Sequence, residues 1–214
     1  LEAVFRTQIR AILRASAAGN ARILFPMITS VNEIRRVADI VSDEKQRLAR
    51  DDIPHDANIR LGIMVEVPAA VPILDRLLRY ADFVNIGTND LIQYLLAVDR
   101  NNKKVAAHFD AFHPAVMTVI RDIIAVCRRF GREVCICGEA AGIREGLFLF
   151  VGMGADDISM TPSSIPAVKQ LIRGMYQADA RRVLEDCLKM ESADEIRKRV
   201  SGFLVSSGMA SPTR

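Results

Sequence analysis

The sequence predicts an α/β fold with a parallel sheet, built as a partial (β/α)8 barrel followed by C-terminal helices. Three observations carry that expectation. Short apolar strands alternate with helical patterns along the chain, the signature of βαβ units. The strands are near-continuous runs of Val, Ile, Met and Phe, as strands in a parallel sheet covered by helices should be. Their C-terminal ends repeatedly carry polar residues: Glu66, Thr88-Asn89-Asp90, Cys137-Gly138-Glu139, and Ser159 with Thr161. In a barrel these ends converge on one mouth, where barrel enzymes keep their chemistry. A doubly wound dinucleotide fold would instead show G-x-G-x-x-G after its first strand, and none occurs. GMGADD at 152–157 comes nearest, but it precedes a strand.

The elements follow in order. LEAVFRTQIRAILRASAAGN opens the chain as an amphipathic helix, with Leu1, Val4, Phe5, Ile9, Ile12 and Leu13 on one stripe. Gly19-Asn20 ends it. A chain that begins with Leu inside a helix is expected to be a piece of something longer. ARILFPMI (21–28) is the first strand, and Ser30 with Glu33 forms a capping box for a helix running to about Ala49. IRLGIMVEV (59–67) is the second strand, with a helix from Pro68 through Arg79. FVNIGT (83–88) leads into helix DLIQYLLAVDR, and a loop precedes a long helix over 114–130. Strand EVCICGE (133–139) leads to helix REGLFLFVGMG, and strand DISMTP (157–162) to a helix ending at Arg173. Residues 176–206 read as two tail helices, with SSGMASPTR frayed.

Composition narrows the function. The chain has 214 residues, half of them apolar, enough for one sizeable core rather than two domains. Lys and Arg number 29 against 26 acidic residues, with no basic run, so a nucleic-acid groove is not suggested. The longest strongly apolar stretch, at 146–155, is too short to span a bilayer. Four cysteines without zinc spacing fit a reduced, cytoplasmic protein.

Candidate chemistry sits at the strand ends. Glu66 interrupts an apolar segment and needs a partner or a metal, because burying a lone carboxylate is costly. It could pair with a buried Arg or cap the helix at Pro68. Asp90, after the next strand, could serve only to stabilise a helix N-terminus. Together, two carboxylates on consecutive strand ends suit Mg²⁺, which takes one or two carboxylates and fills its other sites with water and substrate oxygens. Asn89 and the backbone N–H groups of that turn face the same mouth, where a phosphate would be welcome. Arg100 closes the following helix, and a cation is favoured there by the dipole alone. Cys137 ends its strand and could be an acid or a nucleophile rather than an inert hydrophobe. Cys135 shares its face one layer deeper. No role is given to His55, His108 or His113.

Taken together, VEVPAA, IGTNDLIQYLLAVDR and CGEAAG resemble the phosphoenolpyruvate (PEP)-binding barrel of the PEP-utilising enzymes, and most of all its Enzyme I branch, from the bacterial phosphotransferase system. AVDRNN followed by HPAV is similar to the nitrogen-related form. The resemblance runs from about residue 6 to 173. The family usually has Ser where this chain has Asn85. The resemblance implies that Glu66 and Asp90 hold Mg²⁺, that Asn89 and Arg100 hold the PEP phosphate, and that Cys137 protonates C3 of enolpyruvate as pyruvate forms. It implies about the last five βα units of the barrel, without the earlier strands or the preceding domain bearing the phosphorylated His. Such a chain is expected to be inactive alone, to meet a phosphocarrier protein through that other domain, and to form a homodimer. The corresponding barrel of pyruvate phosphate dikinase or PEP synthase, and a non-catalytic dimerisation module, are the alternatives.

Overall fold

The computed structural model describes residues 1–209; the end of the segment expected to fray lies outside them. Five parallel strands form one sheet in strictly sequential order: β1 (Arg22–Phe25), β2 (Arg60–Val65), β3 (Phe83–Gly87), β4 (Glu133–Cys137) and β5 (Asp157–Ile158). Each new strand adds to the same edge, so no switch point arises of the kind that defines a doubly wound sheet. The chain winds in one sense, as a wedge of a barrel does.

The two faces of the sheet differ. Register pairs Phe25 with Ile63, Ile63 with Val84 and Val84 with Val134, and all four are buried. Helices cover this side. The other face carries Leu24, Met64, Asn85, Cys135 and Cys137, all half-buried. It corresponds to the barrel interior, and β1 and β5 are its open edges.

The helices are α1 (Glu2–Ala15), α2 (Val31–Arg50), α3 (Leu74–Leu77), α4 (Thr88–Leu95), α5 (Pro114–Arg129), α6 (Arg144–Met153), α7 (Ile165–Gly174), α8 (Gln177–Cys187) and α9 (Ala193–Ser206). The capping box at α2 is present as expected: Ser30 accepts from the Glu33 N–H, and the Glu33 side chain accepts from the Ser30 N–H. The two tail helices form and pack on α6, whose Leu147, Phe148, Leu149 and Phe150 are fully buried.

Three expectations are corrected. The stretch 68–79 is a 3-10 segment over Pro68–Ile73 followed by the single turn α3; Pro72 lies inside it and cannot donate the backbone hydrogen bond a regular helix needs. The last strand spans two residues, not 157–162, because Pro162 and the hydroxyl-rich segment before it turn away from the sheet edge. Helix α4 starts at Thr88 and ends at Leu95, so Arg100 does not close it. Ala97 adopts a left-handed φ of 54° just past its end, which turns the chain out of the helix and leaves Arg100 on the loop beyond.

Candidate active site

The C-terminal ends of β2, β3 and β4 carry the candidate residues. Glu66 directly follows β2, Asn89 and Asp90 lie in the first turn of α4 directly after β3, and Cys137 is the last residue of β4. One rim therefore gathers four of the five sequence candidates.

Glu66 is only 3% exposed. Neither of its expected structural roles is observed. Its Oε1 accepts from the Met27 N–H, at 2.8 Å, where Met27 holds a left-handed φ of 56° after β1. Among the described residues, neither Glu66 nor Asp90 forms a salt bridge. Burial pushes the Glu66 carboxyl above its ordinary range; the Met27 N–H partly offsets this, and the negative charge of Asp90 raises it further. The two carboxylates are thus close enough to oppose each other. Gly87 makes room for this: a Cβ there would stand 2.6 Å from Glu66 Oε2. Two neighbouring carboxylates with no ion-pair partner among the described residues are a donor set that fits Mg²⁺.

Thr88 has a structural part in this turn. It is fully buried, and its hydroxyl donates to the Cys137 carbonyl at 2.7 Å. It binds the end of β3 to the end of β4. Asn89 Oδ1 accepts from the Glu139 N–H at 3.1 Å, a second tie between the same strand ends. Gly138 sits between them with φ of 109°, and a Cβ there would fall 2.2 Å from Thr88 Oγ1 and 3.0 Å from Asn89 Oδ1. Only glycine adopts that backbone so close to its neighbours without strain.

Cys137 donates to the Ile86 carbonyl at 3.3 Å. Burial raises its thiol pKa, and the Glu66 charge raises it further. A thiol so placed keeps its proton at neutral pH, which suits an acid better than a nucleophile. Cys135, one layer deeper in register with Asn85, is held at about 11 by burial first and by Cys137 and Asp157 next.

Arg100 reaches the same region from its loop. Its Nη1 lies 3.7 Å from Glu139 Oε1, and its N–H donates to Gln93 Oε1 at 3.3 Å. A cavity of about 620 Å³ opens beside these residues, lined by Asn89, Gly138, Glu139, Ser159, Thr161 and Ser164 among others. Glu139 was not singled out from the sequence; its only signal was its place after Cys137-Gly138. His113 caps α5, its Nδ1 accepting from Ala115 N–H, a local structural role.

Comparison with known proteins identifies the family. The family described as "PEP-utilising enzyme, PEP-binding domain" matches residues 1–177. The chain belongs to the PEP-utilising enzymes. It is 39% identical over 202 residues to the phosphoenolpyruvate-protein phosphotransferase of Listeria monocytogenes, covering 94% of this chain and 35% of that protein. It is 41% identical over 201 residues to the protein of the same name from Buchnera aphidicola, again 94% of this chain and 35% of that one. Multiphosphoryl transfer protein 2 of Escherichia coli is 39% identical over 200 residues, 94% of this chain and 24% of its own length. The chain thus spans about a third or less of these relatives. In structure it is similar to a citrate lyase from Burkholderia xenovorans, with a TM-score of 0.57 at 16% identity, over 97% of this chain and 71% of that one. That likeness concerns the fold alone. No helix among the described residues is long and apolar enough to cross a membrane.

Proposed function

We propose that the chain is the PEP-binding part of a phosphoenolpyruvate-protein phosphotransferase of the Enzyme I type. The observation that carries this is the pair Glu66 and Asp90: two carboxylates following consecutive strands at one rim, neither in an ion pair among the described residues. Glu66 and Asp90 would hold Mg²⁺, which would supply neutralisation of phosphate charge. Asn89 and Arg100 bind the phosphate oxygens from the other side. The P–O bond to the enol oxygen breaks as the phosphoryl group passes to a histidine of the full-length enzyme, and from there to a carrier protein. The enolate left behind takes the Cys137 proton at C3 and becomes pyruvate, and the thiolate regains a proton from water. The raised thiol pKa keeps that proton in place until the enolate forms. Homodimerisation and a cytoplasmic setting belong to the same reading.

The two cysteines test it. In the full-length enzyme, Cys137→Ser should abolish proton exchange at C3 and pyruvate formation while Mg²⁺-dependent PEP binding persists. Cys135→Ser should cost stability through a half-buried hydroxyl and leave turnover nearly intact. Loss of turnover in Cys135→Ser with retention in Cys137→Ser would put the acid on the wrong residue.

A further inference from the structure

Arg100 and Asn89, the two side chains proposed to bind the phosphate, are both already engaged by one residue. Glu139 meets Arg100 through its side chain, at 3.7 Å, and Asn89 through its backbone N–H, at 3.1 Å. The two contacts differ in kind. The backbone contact is rigid, because Gly138 is wedged against Thr88 and Asn89 in a conformation no other residue adopts freely. The side chain is loose: it is 79% exposed, and its separation from Arg100 is longer than a hydrogen bond. Glu139 therefore stands at a fixed point with a carboxylate that can swing. It also lines the cavity into which Asn89 faces.

We infer that Glu139 is a positioning residue that engages Arg100 before substrate arrives, its carboxylate standing where phosphate oxygens come to lie. This rests on the functional reading above. The carboxylate shares the phosphate's chemistry, anionic oxygen on a guanidinium, and so keeps Arg100 turned toward the mouth. An arriving phosphate displaces it, and the dianion then repels it into solvent. Glu139 thus holds the arginine ready at the expense of affinity. Its backbone N–H keeps the Asn89 carbonyl oxygen occupied, which leaves the Asn89 amide N–H groups for the substrate.

The isosteric substitution Glu139→Gln, at a site this exposed, leaves folding undisturbed. PEP is titrated with saturating Mg²⁺ into the full-length wild-type enzyme and the variant, and the Arg100 Nε–Hε resonance is followed before PEP is added. The expected result is a shifted Arg100 resonance in Glu139→Gln and PEP binding tighter by roughly two- to fivefold, the span an exposed ion pair commands. Glu139→Asp, which keeps the charge on a shorter arm, should fall between. If wild type binds PEP and Glu139→Gln binds it equally or less tightly, the inference fails while the phosphate site stands. An Arg100 resonance unchanged by Glu139→Gln overturns the inference whatever PEP does. Absence of Mg²⁺-dependent PEP binding in wild type overturns the functional reading, and the inference with it.

Discussion

The two ends of the sheet treat charge in opposite ways. At the N-terminal end, Arg22 and Arg60 both donate to Glu133 Oε2, at 2.9 and 3.0 Å. Both guanidinium groups also lie over the Phe83 ring, 5.6 Å from its centre. Asp82 accepts from the Leu61 N–H, and Asp156 from the Val134 N–H. These charges are met by neighbours of opposite sign or by backbone donors. At the C-terminal end, Glu66 and Asp90 oppose each other, and neither meets a cation among the described residues. The same residue type records the difference. Burial pushes Glu133 up, but Arg60 and Arg22 outweigh it and hold it below its ordinary range, whereas Glu66 is held above. One end pairs its charges; the other leaves two carboxylates without an ion-pair partner among the described residues. A barrel keeps its chemistry at this second end.

The largest expected effect breaks the C-terminal pair. Asp90→Asn should weaken Mg²⁺ binding by at least ~100-fold, beyond the 10–100-fold typical when only an outer partner of a ligand is lost. Calorimetric titration of the metal measures it, and thermal unfolding should show the fold intact. Gly138→Ala comes next. It forces a Cβ against the buried Thr88 hydroxyl at an unfavourable φ, and should cost about 1–3 kcal/mol of stability, read from denaturant unfolding.

A smaller and more pointed test exchanges the two glutamates. Glu133→Gln removes the shared partner of two arginines and should lower Tm by roughly 2–4 °C, the shift for about 1 kcal/mol in a chain of this size. Metal binding should not change. Glu66→Gln should do the reverse: raise Tm of the metal-free chain at neutral pH and abolish metal binding. The signs follow from linkage. Glu133, with its pKa lowered on folding, contributes stability above the unfolded carboxylate pKa that is lost as pH falls through its folded value. Glu66, with its pKa raised, contributes below the unfolded pKa and loses that contribution as pH rises through its folded value. Wild type should therefore lose stability relative to Glu66→Gln as pH rises across that window, and an unchanged difference across it would contradict the unpaired state of Glu66.

The smallest effect concerns Cys137. Since the Glu66 charge raises its thiol pKa, Glu66→Gln should speed Cys137 alkylation by iodoacetamide at pH 8 several-fold, because more thiolate is present. Cys135 should respond little, its raised pKa of about 11 resting on burial first and on Cys137 and Asp157 next.

Much of this was legible from residue patterns, and the part that was not has physical reasons. Apolar runs alternating with amphipathic helices placed every strand, because a strand packed under helices needs a continuous apolar face. The rim residues were found because Glu66 and Cys137 break or end such runs. The helical pattern in IQYLLAVDR continues to Arg100, yet the helix ends at Leu95, and nothing in the spacing reveals that Ala97 turns left-handed. The 3-10 segment after β2 lies where the sequence predicts a helix, because Pro at its start favours one; Pro72 inside it cannot donate the helical hydrogen bond. The ties among Thr88, Asn89, Gly138 and Glu139 are contacts between strand ends about fifty residues apart in the chain. No local pattern encodes such contacts, although the glycine between Cys137 and Glu139 marked the place.

On the proposed function, Glu66 and Asp90 form a metal site shared with PEP. Mn²⁺, substituting for Mg²⁺, can be titrated into the chain by electron paramagnetic resonance with and without PEP. If Glu66 and Asp90 hold the metal and Asn89 and Arg100 the phosphate, Mn²⁺ should bind more tightly when PEP is present, and Asp90→Asn should remove that gain. Mn²⁺ binding of equal strength with and without PEP, or a PEP-dependent gain that survives in Asp90→Asn, would contradict it.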